Sequence, residues 1–292
     1  MARNLDRLLR DYIAPPPGVR PADFAAPAGA PALFAPDSVS WRVMKNPVAL
    51  IIGGIAAVIL ELAEPRVRTG VWEHTSFRRD PVTRMRRTGY AAWVTIYASA
   101  ENARSMIAGV VRAHERVEGR TAAGAPYRAN DPELLTWVHA TAAFGFSEAY
   151  SRYVRTLTPA EIDAFHTEGA PAAALYGADQ PPRSAAELQA LFARMAPKLE
   201  RSDIVLEFFS IVRAAPLLPV KALQRLVVRA AISITPDWAR ETLGLGREFA
   251  LRRGEHTLVR ALGAASDRFV LEDAPPAQAC IRLGLPANYL YR

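Results

Sequence analysis

Four proline-initiated helix starts constrain this chain more than any other feature. Asp80-Pro81, Asp131-Pro132, Thr158-Pro159 and Thr235-Pro236 each put a capping side chain directly before a proline at the first helical position. There the missing amide hydrogen is not needed and the fixed φ suits the helix. Thr158 with Glu161, and Ser184 with Glu187, add capping-box spacing. The Pro181-Pro182 pair and the segment Pro216-Leu-Leu-Pro219 end or separate helices, because proline lacks the donor and clashes with the preceding turn. From Trp41 onward no stretch alternates with period two, and no Asn-Gly or Asp-Gly pair marks a hairpin. The expected fold is all-α, a single domain of roughly eight to ten helices.

Ahead of that domain the sequence reads as a short amphipathic helix over about residues 2–13 and an Ala/Pro-rich linker from Ala14 to Pro36. Residues 1–40 are therefore set apart from a helical domain over 41–292. The linker has too little apolar periodicity to pack and is expected to be extended or poorly ordered. Half of the 292 residues are apolar, which is ample for a large core. The most apolar segment, Pro47 to Leu60 between Lys45 and Glu61, is shorter than the roughly 20 residues a spanning helix needs, so a buried core helix is expected. Its Gly53-Gly54 pair suits close helix approach better than phosphate binding.

Thirty-six Lys and Arg against 29 Asp and Glu leave a net charge of +7, which favours anionic ligands, acidic partners or an anionic membrane surface. Without a lysine-rich tail, no nucleic-acid partner is expected. The single cysteine, Cys280, excludes an intrachain disulfide and a thiolate metal set. A reducing compartment follows, and with a charged N-terminus lacking an apolar signal core the expected location is the cytoplasm. Peripheral membrane contact through the amphipathic helix stays open.

Five histidines are available for chemistry. Ile107, Val110, Val111, His114 and Val117 share a helical face, so His114 points inward. It is either a core imidazole bonded to a carbonyl or a metal ligand. His139 shares a face with Leu135, Ala142 and Phe146 and raises the same choice. His74 follows Glu73 in an expected loop, His166 is expected to be solvated on a short exposed helix, and His256 is expected at the surface. Arg84, Arg87 and Thr88 fall at i, i+3 and i+4 and can reach one pocket. There guanidinium groups would grip a carboxylate; the alternative is a solvated basic face. No Glu-x-x-His, His-Glu-x-x-His, Gly-x-Gly-x-x-Gly, Walker loop or Gly-x-Ser-x-Gly motif occurs.

Several stretches in order carry a family resemblance: Leu60 to Pro65, Glu73 to Phe77, Asp80-Pro81 with Arg84, Arg87 and Thr88, His114-x-x-Val117-x-Gly119, and Tyr127 to Thr141 with its Trp137-Val-His139-Ala-Thr141 core. Over about residues 45 to 262 the chain resembles the catalytic-domain family of rubber oxygenase (latex-clearing protein) and the MpaB oxygenase, in its shorter, bacterial-type form. The resemblance implies a globin-like all-α domain with a central cofactor pocket holding haem b (iron) on one histidine. It places Arg84-x-x-Arg87-Thr88 on the family's Arg-x-x-Lys-Thr motif and His114 near the proximal ligand, with His139 the competing choice. Arg87 stands where the rubber-cleaving branch has a lysine, and arginine is a poor iron ligand. The family's catalytic glutamate has no secure counterpart; Glu73 is the nearest candidate and Glu61 the next. The implied activity is oxygenation of a small hydrophobic metabolite with O2 or peroxide. The competing class is a non-catalytic helical protein that binds a lipid or isoprenoid, and the oligomeric state is left undefined.

Overall fold

The computed structural model describes residues 14–292 apart from 217 and 219; the amphipathic helix expected over 2–13 lies outside them. Of the described residues, 64% are helical. Thirteen α-helices occur among the described residues: α1 (Val39–Met44), α2 (Pro47–Ala63), α3 (Pro65–His74), α4 (Pro81–Tyr97), α5 (Ala100–His114), α6 (Pro132–Tyr153), α7 (Pro159–Tyr176), α8 (Ala185–Met195), α9 (Asp203–Ala214), α10 (Lys221–Ile234), α11 (Asp237–Leu243), α12 (Glu255–Ser266) and α13 (Pro275–Arg282). The count exceeds the expected eight to ten because prolines and glycines cut out short helices that periodicity does not register. α1 has six residues, α11 seven and α13 eight. At Pro65 the chain turns by 110° between α2 and α3, where Glu64 leaves helical geometry and caps Val67 N.

The capping signals act largely as the sequence implies. Asp80 accepts from Thr83 N, Asp131 from Glu133 N and Leu134 N, and Thr158 and Glu161 close a reciprocal box. Thr235 departs from its expected role. Its hydroxyl bonds back to Ala231 O at 3.0 Å and it ends α10, leaving α11 to begin without a side-chain cap.

The core is built on α2 and α6. On α2, Ile52, Ile55, Ile59 and Leu60 are fully buried, each contributing about 2 kcal/mol of apolar burial. Gly53 and Gly145 let the two backbones touch: a Cβ on Gly145 would lie 2.3 Å from Gly53 O. The apolar 47–60 segment is thus a core helix, as expected. No single described helix is long and apolar enough to cross a membrane, though the bent pair α2–α3 passes that test when taken together. Trp137 and Phe144 of α6 pack edge-on to Phe192 of α8.

Two features run against the sequence reading. Between α5 and α6 lies a hairpin, β1 (Glu118–Arg120) and β2 (Pro126–Arg128), antiparallel with Gly119 opposite Tyr127. Three-residue strands are too short to show alternation, and the turn uses Gly124 at φ +83° in place of an Asn-Gly pair. The second is the Ala14–Pro36 linker, which packs as a strap. Phe24 and Phe34 are buried with Trp41, Tyr90 and Trp93. The Arg282 guanidinium, 1% exposed, donates to Phe24 O at 2.8 Å and Ala30 O at 2.9 Å. Two phenylalanines and backbone bonding hold the strap, so it needs no periodicity.

Candidate functional site

Half-buried residues mark one stripe on each central helix: Gly54, Val58 and Glu61 on α2, and His139, Ala142 and Phe146 on α6. Both follow the i, i+3/i+4, i+7 rule, so one face of each helix is left short of full packing. Gly54 would meet only the Phe146 ring, at 3.9 Å. Toward these stripes α4 presents Arg84, with Thr88 and Gly89 exposed in mid-helix.

Glu61 sits at the C-terminal end of α2, beside Arg84 and the hydroxyl of Thr141 on α6. Burial pushes its carboxyl up to about 7, against the opposing pull of Arg84 and Thr141. Burial likewise lowers the Arg84 pKa, with Glu61 acting to raise it and Arg87 to lower it further. Arg84 Nη1 donates to Thr88 Oγ1, while Thr88 Oγ1 donates to Arg84 O at 3.1 Å. Arg84 and Thr88 therefore act as one unit. Arg87 turns away, with Nη2 donating to Pro17 O of the strap at 2.7 Å and Nε to the same oxygen at 3.2 Å.

His114 is the last residue of α5. Burial and then Arg84 lower its pKa, while Asn130 acts to raise it. Its Nδ1 and Asn130 Oδ1 are both shut off from solvent, with no hydrogen-bond partner among the described residues. Asn130 is itself fixed, its Nδ2 donating to Val111 O at 3.0 Å. The held amide stands beside the imidazole, and burial favours the neutral ring, the form in which histidine binds a metal.

His139 is placed differently. Its Cε1 and Nε2 lie against α7, 3.2 Å and 3.6 Å from where a Gly169 Cβ would stand, and Nε2 is buried without a partner. Burial, then the neighbouring His166, hold its pKa down at about 4. His166, expected to be solvated on a short helix, is 1% exposed on the 18-residue α7. The polar residues around it cap neighbouring elements rather than signalling a surface. His256 is half-buried with its ring 5.4 Å from that of Tyr153.

Glu73 and His74 end α3 instead of lying in a loop. Tyr127 of β2 donates to Glu73 Oε2 at 3.3 Å, and His74 Nε2 lies 3.0 Å from the same hydroxyl. Gly70 and Gly119 make room for the Tyr127 ring. Glu73 thus belongs to the hairpin, and Glu61 is the carboxylate grouped with Arg84. Sequence reading passed over Asn130, which sits next to the Asp131 cap and looks like ordinary loop polarity, and Thr141, present in the motif but given no role.

Among the described residues no three His, Cys, Asp or Glu side chains converge as a metal-ligand set. The site can therefore offer one imidazole donor, one guanidinium, and one carboxyl poised between its charge states. No curated protein and no solved structure matches the chain. The family model described as "ER-bound oxygenase mpaB/B'/Rubber oxygenase, catalytic domain" matches residues 41–266, from α1 through α12. With the helices that carry Glu61, Arg84, His114 and His139 all inside that span, the chain belongs to the mpaB/rubber oxygenase catalytic-domain family.

Proposed function

We propose that this chain is a haem b-dependent oxygenase acting on a small hydrophobic metabolite, with His114 as the axial iron ligand. The observation that carries the reading is His114 itself: a half-buried imidazole whose buried Nδ1 has no hydrogen-bond partner among the described residues, next to Arg84. A lone histidine with no second or third protein ligand suits an iron whose other donors come from a macrocycle. Haem b, when bound, supplies activation of O2 or peroxide.

The chain's own residues have separable roles. Asn130, held by its bond to Val111 O, stands beside the His114 ring. Arg84 offers a fixed positive charge to a carboxylate of the cofactor or substrate, and its bond to Thr88 holds it in place. Glu61, with a pKa of about 7, can hold or release a proton at its carboxyl near neutral pH. Gly54, Val58, Ala142 and Phe146 give the stripe its apolar character, which favours a hydrophobic substrate. Arg87, bonded to the strap, has no direct part. The buried, free Cys280 suits a reducing cytoplasm.

Absorption spectra of the protein expressed with a haem precursor test this. The wild type and His139→Ala show a Soret band, and His114→Ala loses it. Loss in His139→Ala alone would transfer the ligand role to His139. A wild type with neither Soret band nor iron would replace the oxygenase reading with that of an apolar-ligand binding protein.

A further inference from the structure

The two adjacent glycines of α2 have different surroundings. Gly53 is demanded by the contact with α6, since a Cβ there would lie 2.6 Å from Gly145 O. Gly54 answers to no such contact: its Cβ would meet a single atom, Cε1 of the Phe146 ring, at an ordinary 3.9 Å. Alanine is favoured over glycine in mid-helix, so neither close approach nor helix formation accounts for glycine at 54. What glycine leaves there is room, on the half-buried stripe of α2 and against an aromatic ring. The two helices run antiparallel, Gly53 meeting Gly145 and Glu61 lying beside Thr141. The order Gly54, Val58, Glu61 on α2 therefore runs against Phe146, Ala142, His139 on α6. Glu61 and Gly54, seven positions apart, mark the two ends of the stripe, about 10 Å from each other along the helix. The polar end carries Arg84, whose guanidinium donates to Thr88 Oγ1 and makes no salt bridge among the described residues. The apolar end stops at Phe146, which packs against both core clusters and is held by them.

We propose that Gly54 is the specificity-determining residue of this site, setting how far the apolar end of a substrate reaches along α2 while the substrate's carboxylate pairs with Arg84. The substrate class is then a slender amphiphile, with one carboxylate and an unbranched apolar body about 10 Å long that ends against the Phe146 ring. A guanidinium grips a carboxylate in a fixed fork, which pins the polar end, so length is read at the other. A side chain at 54 would project into the space beside Phe146 and stop the chain short of it. Each methylene buried over the stripe raises affinity about fourfold, up to the length at which the chain meets Phe146 and further carbon gains nothing. That the bound amphiphile is a substrate rests on the oxygenase reading; that Gly54 limits its length does not.

Titration calorimetry of the full-length protein, haem-free and haem-loaded, with hexanoate, octanoate, decanoate and dodecanoate tests the assignment. In the wild type, affinity climbs about fourfold per methylene and levels off within the series. Gly54→Ala, Gly54→Val and Gly54→Leu keep hexanoate binding and lose decanoate binding in order of side-chain size, Gly54→Leu on the order of tenfold or more. Arg84→Met weakens every member alike and keeps the dependence on length. Thermal unfolding checks that the variants fold, and Gly54→Ala, whose Cβ makes only the 3.9 Å contact, carries the comparison where a larger side chain does not. A wild type that binds none of the series overturns the proposal. So does a length profile unchanged by substitution at 54, or an equal loss for hexanoate and decanoate, which a merely structural effect would give. Expulsion of decanoate by haem overturns it as well, because the space beside Gly54 then belongs to the cofactor. A chain that takes up no haem yet shows the length limit removes the oxygenase reading and leaves Gly54 its role. A Soret band that depends on His114, without a length limit, removes the role of Gly54 alone.

Discussion

Glu61→Gln should change the pH dependence of stability in a way that isolates the buried carboxyl. In the unfolded chain Glu61 releases its proton near the ordinary value of 4.5; in the folded protein it keeps it up to about 7. Below 4.5 both states hold the proton and the group contributes no difference. Between 4.5 and about 7 only the folded state does, so wild-type stability falls as pH rises, and it stops falling once both states are ionised. At about 1.4 kcal/mol for each tenfold difference in proton affinity, the total loss is about 3 kcal/mol. Glutamine keeps the size and the hydrogen-bonding capacity toward Thr141 and cannot ionise. Urea unfolding of both proteins at a series of pH values is the assay, and the stability of Glu61→Gln minus that of wild type is the quantity to plot. It should grow by about 3 kcal/mol across that window and then level off, while contributions from the histidines cancel. Adding Arg84→Met to the wild type removes the charge that pulls the carboxyl down and should extend the window above pH 7. A difference that stays flat from acid to alkaline pH would refute the assignment of Glu61 as a desolvated carboxyl.

Three further outcomes follow from the same geometry. His139→Phe should remove an acid-side loss: the wild-type ring, held at about 4 against an ordinary 6.5, gives up about 3 kcal/mol of stability as pH falls through that range, and acid unfolding followed by circular dichroism reads the difference. Gly145→Ala would raise helix propensity in an open helix, but here its Cβ meets Gly53 O at 2.3 Å; thermal unfolding should show a loss of about 3 kcal/mol or more. Arg282→Ala leaves Phe24 O and Ala30 O without their charged donor at a cost of about 2–4 kcal/mol, and limited proteolysis should cut first between residues 14 and 36.

Local chemistry made the helices legible. Asp80, Asp131 and Thr158 cap helices in the structure because a short acceptor before proline satisfies amides that nothing else can reach. The same logic failed at Thr235, whose hydroxyl found a carbonyl four residues back while its proline became the flanking residue of α11. The site was half legible. Helical spacing joined Arg84 to Thr88 correctly, but the direction of Arg87 depended on a strap 70 residues away in sequence, which no local pattern encodes. Glu61 was harder to see than Glu73, because its significance comes from α4 and α6 closing around it. His166 was misread for the reverse reason: a short exposed helix was expected there, whereas α7 runs for 18 residues and leaves His166 only 1% exposed.

The bond from Arg282 to Phe24 spans 258 positions of the chain. During synthesis, at about 5–20 residues per second, the donor appears on the order of tens of seconds after its acceptor. For that interval Phe24 and Phe34 have no completed seat, since α13 contributes Ala279 and Cys280 to the cluster that encloses them. The strap is therefore a late clasp, fastened by the final helix over elements that have already met. The Pro17 carbonyl that steers Arg87 belongs to that same strap, so the rim beside Thr88 takes its finished form only when the two ends of the chain are joined.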